Sequence, residues 1–217
     1  MPSVLADYWP LVDLRLRVGA VELRPPSDAD LAALADVAFA GMQEPGTRTF
    51  LTPWTDLPPL ERARHVVRGV WTDRGDWTPE DWSLRLGVFV DGVAVGMQGM
   101  SATSFGLLRE VRTWSWLGLP HQGAGLGTTM RQAVLHLAFS GLSAACATTG
   151  SFVDNPAPLR VSRKLGYEDD GITRDLLHGE VVVSQRLRLT RARWESLPRP
   201  PVSVTGLSPC LPLFGAV

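Results

Sequence analysis

Residues 110–127 read EVRTWSWLGLPHQGAGLG, and TTMRQAVLHLAFSG follows directly. Alternating residues give way to a glycine-rich stretch and then to a helix-patterned run, so the order is strand, loop, helix. A loop of that kind presents unpaired backbone N–H groups at a helix N-terminus, where negative charge is favoured. The stretch predicts an anion site, and the rest of the chain must say which anion.

Upstream, Val21–Arg24 reads as a first short strand, stopped by Pro25 and Pro26. Ser27 with Asp30 three positions on has a capping-box pattern, and Leu31, Leu34, Ala35 and Ala38 form the apolar stripe of a helix ending near Gly41. Residues 42–59 read as a loop, and a second helix runs from about Leu60 to Arg74. Asp91-Gly92 separates Ser83–Val90 from Val93–Met100, a strong hairpin signal. With Leu108–Leu117, three consecutive antiparallel strands are expected. Downstream come a helix over 126–140, a buried strand Ala144–Gly150, a short helix from Asn155 to Leu165 with Gly166 as its cap, and strands Tyr167–Ile172 and Glu180–Leu189. Helices that alternate with strands only in the second half predict a mixed α/β sheet.

The chain has 217 residues, of which 45% are hydrophobic and 20% charged, with a formal net charge of −1. Such a chain folds around a sizeable core without disulfides or metals, and nothing global points to nucleic acid or an anionic membrane. Two cysteines, Cys146 and Cys210, lie in unrelated settings with no zinc-ligand spacing. The N-terminal residues lack a basic start to an apolar run, and no apolar run is long enough for a bilayer, so a cytoplasmic location is expected. The organisation read from the sequence is one domain over 1–195 and a tail over 196–217 holding five of the seventeen prolines, expected to dock on the domain or on a dimer partner.

A phosphate loop of the GxxxxGK[ST] type needs a lysine that does not follow Gly127, and a dinucleotide fold needs a ribose-binding acid where Cys-Ala-Thr-Thr stands. What remains is Gln-x-x-Gly-x-Gly, present as Gln122, Gly125 and Gly127. This resembles the pyrophosphate loop of the GNAT superfamily of acyl-CoA N-acetyltransferases. A second segment, SFVDNPAPLRVSRKLGYEDDG, is similar to the superfamily's N-x-x-[SA]-…-[YS]-x-K-x-G-[FY]. Asn155, Ser162, Lys164, Gly166 and Tyr167 fill its positions, while Pro158 departs from the usual small polar residue. The tryptophan-bearing TPWT at 52–55 resembles the ribosomal-protein N-terminal acetyltransferase (RimJ/RimL-like) branch.

The resemblance covers about residues 21–190. It implies a GNAT fold, a mixed twisted sheet flanked by helices, and transfer of acetyl from acetyl-CoA to an amine by direct attack. It implies no metal. The acceptor would be a protein or peptide N-terminal amine, with a small antibiotic or metabolite amine second and a catalytically idle CoA-binding domain as rival. Gln122, Gly123, Ala124, Gly125, Leu126, Gly127 and Thr128 would cradle the diphosphate, and Asn155 and Arg160 would add contacts. Backbone groups at Leu117, Gly118 and Leu119 would hold the thioester oxygen and pantetheine arm. Dimers are common in the resembling branch.

The chemistry requires that the amine lose a proton, that an oxyanion be stabilised, and that a thiolate leave. Glu110 is the first choice for general base, with burial expected to raise its pKa, unless it is a rim residue paired with Arg109 or Arg112. Glu44 is the alternative base, or a solvated loop carboxylate. Ser162 is the position that resembles a serine holding the CoA sulfur. Trp54, Trp71, Trp77, Trp82, Trp114 and Trp116 either line an acceptor pocket or pack in the core.

Overall fold

In the computed structural model, which describes residues 4–44 and 46–216, the chain begins its sheet earlier than the sequence suggests. Leu16 and Val18 alternate with charged residues and form β1 (Arg15–Val18), which turns at Gly19 into β2 (Val21–Arg24). Ser27 caps α1 (Asp28–Ala40), and the full capping box with Asp30 is formed. Pro59 opens α2 (Pro59–Gly75), a position where its missing N–H costs nothing. β3 (Asp81–Val90) and β4 (Val93–Thr103) form a hairpin whose turn, Asp91-Gly92, has positive φ at both residues, as a primed turn demands. A single turn, α3 (Phe105–Leu108), takes Leu108, which the sequence reading placed at the start of the next strand, and β5 spans Glu110–Leu117.

α4 (Leu126–His136) continues into a π-helical turn at Leu137–Gly141. β6 (Cys146–Phe152), α5 (Pro156–Lys164), β7 (Glu168–Leu177) and β8 (Glu180–Thr190) follow, then α6 (Arg191–Glu195) and β9 (Ser203–Thr205). Among the described residues nine strands lie in the order β7-β8-β6-β5-β4-β3-β2-β1-β9. Every pairing is antiparallel except β5 with β6. This is the mixed α/β sheet flanked by helices that the resemblance implied.

Each face of the sheet has its own apolar layer. On one, Leu31, Leu34, Val66 and Val70 of α1 and α2 meet Phe89, Met97 and Trp116. On the other, Met130, Ala133 and Val134 of α4 meet Leu23, Val111, Leu117 and Tyr167. Residues 203–214 join the second layer: β9 pairs with β1, and Phe214 is buried edge-on against the stacked Trp77 and Trp82. The two indoles donate to the carbonyls of Leu213 (2.8 Å) and Phe214 (3.2 Å), which satisfies their N–H groups.

Candidate active site

β5 and β6 are paired only through Glu110/Cys146, Val111/Ala147 and Arg112/Thr148. Past that point β5 stays with β4 as far as Leu117, and β6 stays with β8 as far as Phe152, so the two strands part. Gly118 N–H donates to Val95 O at 3.0 Å, and this sets the alternation along β5. The backbone groups of Ser115 and Leu117 therefore face away from β4, into the opening. Of the three residues expected to offer backbone donors, Leu117 alone keeps its amide for the opening. Gly118 is taken by Val95, and Leu119 N–H donates to Gly41 O at 3.2 Å.

At the far end of β5, Gln122 acts first as a brace. Its side-chain amide donates to Met42 O (2.7 Å) and Leu117 O (2.9 Å), tying the loop to the end of α1 and to β5. Gly123 and Gly125 have φ of +77° and +82°, and no atom lies within 4 Å of where either Cβ would stand. Among the described residues, the amides of 123–127 meet no backbone acceptor; the first helical bonds run from Thr128 and Thr129 to Gly125 O. An exposed row of free N–H groups at the start of an eleven-residue helix fits a diphosphate.

α5 brings the second expected segment to the same opening. Ser162 is 3% exposed, and its hydroxyl donates to Pro158 O at 3.0 Å, so it is a buried residue facing the cleft. Asn155 stands at the helix N-cap without capping it; its side chain donates to Arg48 O at 3.2 Å, while Arg48 pairs with Asp154. These contacts tie the loop before α2 to the end of β6. Arg160 is exposed on α5.

Glu110 is not shifted as the sequence suggested. Burial alone would raise its pKa, but a 2.6 Å bond from Arg188 and a 3.1 Å bond from the Cys146 thiol hold the carboxyl below its ordinary range. Its partner is Arg188, across β6 on β8, rather than the adjacent Arg109 or Arg112. Cys146 feels the same pair: burial and the neighbouring carboxylate push its thiol up to about 11.

A cleft of about 820 Å³ joins these groups, with Glu110, Arg112 and Trp114 on one side of the sheet and Ser115, Arg131 and Ser162 reached through the opening. Glu110 and Ser162 thus share one cavity. Glu44 is exposed and lies outside its lining, as do the loop glycines. Among the tryptophans, Trp54 and Trp116 pack against α1 and α2, Trp82 is buried with Phe214, and Trp71 is exposed. Trp114 lines the cleft and lies beneath Arg85, 5.0 Å from its ring centre. Arg131 escaped the sequence reading. Its signal was a cation in line with Leu135 and Ala138 on an otherwise apolar helix face.

Residues 20–168 match the family model described as Acetyltransferase (GNAT) domain. Among solved structures, Mycobacterium smegmatis RimJ in complex with a CoA disulfide superposes with a TM-score of 0.67 at 20% identity, covering 88% of this chain and 92% of that one. RimL, a ribosomal-protein alpha-N-acetyltransferase in complex with coenzyme A, gives 0.64 at 17%, covering 81% and 97%. The microcin C7 self-immunity acetyltransferase MccE, in complex with acetyl-CoA and AMP, gives 0.62 at 12%, covering 79% and 93%. At these identities the likeness is one of fold. The family model, which spans the first helix, the parting strands, the loop and α5, carries the assignment: this chain belongs to the GNAT family of acetyltransferases.

Proposed function

We propose that the protein transfers an acetyl group from acetyl-CoA to a primary amine, most suitably a protein or peptide N-terminal amine, by direct attack on the thioester. The observation that carries this reading is the order along β5: Glu110 in the cleft that also holds Ser162, then the backbone edge at Ser115 and Leu117 that faces away from β4, then the free amides at 123–127 in the loop that follows. The diphosphate is assigned to the loop and the pantetheine amides to the β5 edge, at the backbone groups of Ser115 and the N–H of Leu117.

The amine nitrogen attacks the thioester carbon, and the carbonyl oxygen becomes an oxyanion facing the same backbone edge, where fixed N–H dipoles stabilise it. Glu110 accepts the amine's proton, directly or through one water. Its depressed pKa keeps it ionised but makes it a weak base, so its contribution is to orient the amine and receive the proton as the N–C bond forms. Collapse of the intermediate expels the CoA thiolate, and the Ser162 hydroxyl, turning its proton from Pro158 O, is assigned to donate to that sulfur. The peptide amine is preferred as acceptor because RimL, similar in fold, is a ribosomal-protein alpha-N-acetyltransferase.

The test follows CoA release from acetyl-CoA with panels of peptides and small amines. Turnover on an N-terminal amine, lowered about tenfold or more by Glu110→Gln and Ser162→Ala, supports the roles. Turnover confined to small amines redirects the acceptor. CoA binding without turnover on any amine sinks the catalytic reading.

A further inference from the structure

Arg131 lies on the α4 side of the opening and is 4% exposed. Its Nη2 donates to Ser115 Oγ on β5 (3.0 Å), its Nη1 to Thr149 Oγ1 on β6 (3.4 Å), and its Nε to Gln98 Oε1 on β4 (3.3 Å). The guanidinium therefore bridges the two diverging strands just beyond their last pair, Arg112/Thr148, and forms the end wall of the opening. All of these acceptors are neutral, and so is the Tyr167 hydroxyl, a further partner of the guanidinium, whose own pKa burial pushes up. No Asp or Glu among the described residues offsets the charge, and burial pushes the guanidinium pKa down. An arginine buried without an anion is unfavourable, and a fork of N–H donors is matched best by a carboxylate.

We infer that Arg131 is a subsite for a carboxylate carried on the acyl group, so that the donors preferred by this enzyme are CoA thioesters of short dicarboxylic acids. The inference rests on the CoA-dependent reading above and narrows its donor. Arg131 sits on the helix whose N-terminus carries the diphosphate loop, on the face opposite Glu110, Arg112 and Trp114. That places it with the donor rather than with the acceptor. The bond changes are those of the acetyl reaction: an amide N–C bond forms, the C–S bond breaks, and the far carboxylate stays ionised against Arg131.

The test needs no acceptor. The unmodified protein is titrated calorimetrically with malonyl-, succinyl- and glutaryl-CoA and with the neutral thioesters of matching length, propionyl-, butyryl- and valeryl-CoA, alongside acetyl-CoA. At least one dicarboxylic thioester is expected to bind about tenfold or more tightly than its neutral match, a difference of about 1.4 kcal/mol. That advantage is expected to disappear in Arg131→Gln and to survive in part in Arg131→Lys. Equal affinities within every pair, with acetyl-CoA still bound, overturn the inference and leave the acetyl reading standing. An advantage that persists in a folded Arg131→Gln protein overturns the assignment to this side chain. Failure of every CoA ester to bind overturns both readings. Should Arg131→Gln not fold, the wild-type pairs and Arg131→Lys decide.

Discussion

Glu110 and Arg188 meet across the floor of the cleft at 2.6 Å, bridging β5 to β8 over the intervening strand β6. The pair keeps the proposed base ionised and sets how the enzyme responds to pH. Because the folded pKa of Glu110 is depressed, the stability it contributes is present above the ordinary carboxylate range and is lost as pH falls through the folded value. Both groups are more than a third exposed, so solvent screening keeps that contribution small. In kcat/KM, Glu110 adds no titration near neutrality. The rising limb is expected to follow the acceptor amine, near ~8 for an α-amine. Removing the arginine by Arg188→Met leaves burial largely unopposed, so the pKa of Glu110 itself is expected to rise, as read by NMR titration of its carboxyl. A limb near neutrality that vanishes in Glu110→Gln would contradict this account.

The two thiols give an independent reading of the same electrostatics. Cys146 and Cys210 are both pushed up to about 11, in each case first by burial. At pH 8 the thiolate fraction is roughly one in a thousand, so a disulfide reagent is expected to modify neither in the native protein and both after denaturation. Glu110→Gln removes the carboxylate that raises Cys146 and leaves Arg188 beside it. Cys146 is then expected to react faster and Cys210 to be unchanged, as read by mass spectrometry of labelled peptides.

Gly96 is where β4 and β5 approach too closely for a side chain. A Cβ there would overlap the Trp116 carbonyl and stand 2.8 Å from Leu117 Cα. Backbone cannot yield as a flexible side chain does, so Gly96→Ala is expected to cost about 1–3 kcal/mol in urea unfolding. It also displaces the β5 edge assigned to the donor, so affinity for acetyl-CoA is expected to fall with it. Gly125→Val tests the opposite case. Its Cβ has open space, but its φ of +82° is strained for valine, at about 1–2 kcal/mol. Affinity is expected to fall about tenfold or more with little loss of the core's cooperativity.

Phe214 carries the residues after α6 into the core. It is fully buried, with ring centres 5.3 Å from Trp77 and 4.9 Å from Trp82. Phe214→Ala is expected to destabilise the protein by about 3–5 kcal/mol and to shift its tryptophan emission to the red. An unchanged unfolding midpoint would mean that this packing contributes nothing.

Local chemistry was legible where it acts locally. Ser27 with Asp30 and Asp91 with Gly92 specify their cap and turn within a few residues, and both formed as the pattern requires. β1 was passed over because its four residues carry two arginines; its strand character comes from pairing with β2 on one side and β9 on the other. The site divides along the same line. Glu110 was chosen as the acid on the strand ahead of the loop and Ser162 by its place in the second motif, and both line the cleft. The direction of the Glu110 shift was misread, because its cause, Arg188, lies 78 residues away and reaches it only once β8 pairs with β6. Arg131 was missed for a similar reason: three strands supply its partners, and none is near it in sequence.

The three residue pairs that join β5 to β6 make the sheet two plates on a short seam, with strands β1 to β5 and β9 on one and β6 to β8 on the other. A donor lying in the split supplies the hydrogen-bonding partner that β5 lacks there, and so laces the plates together. Occupancy and rigidity are then coupled. Amide hydrogens beside the seam are expected to exchange more slowly as the donor fills the split, and the melting temperature to climb with its concentration by mass action.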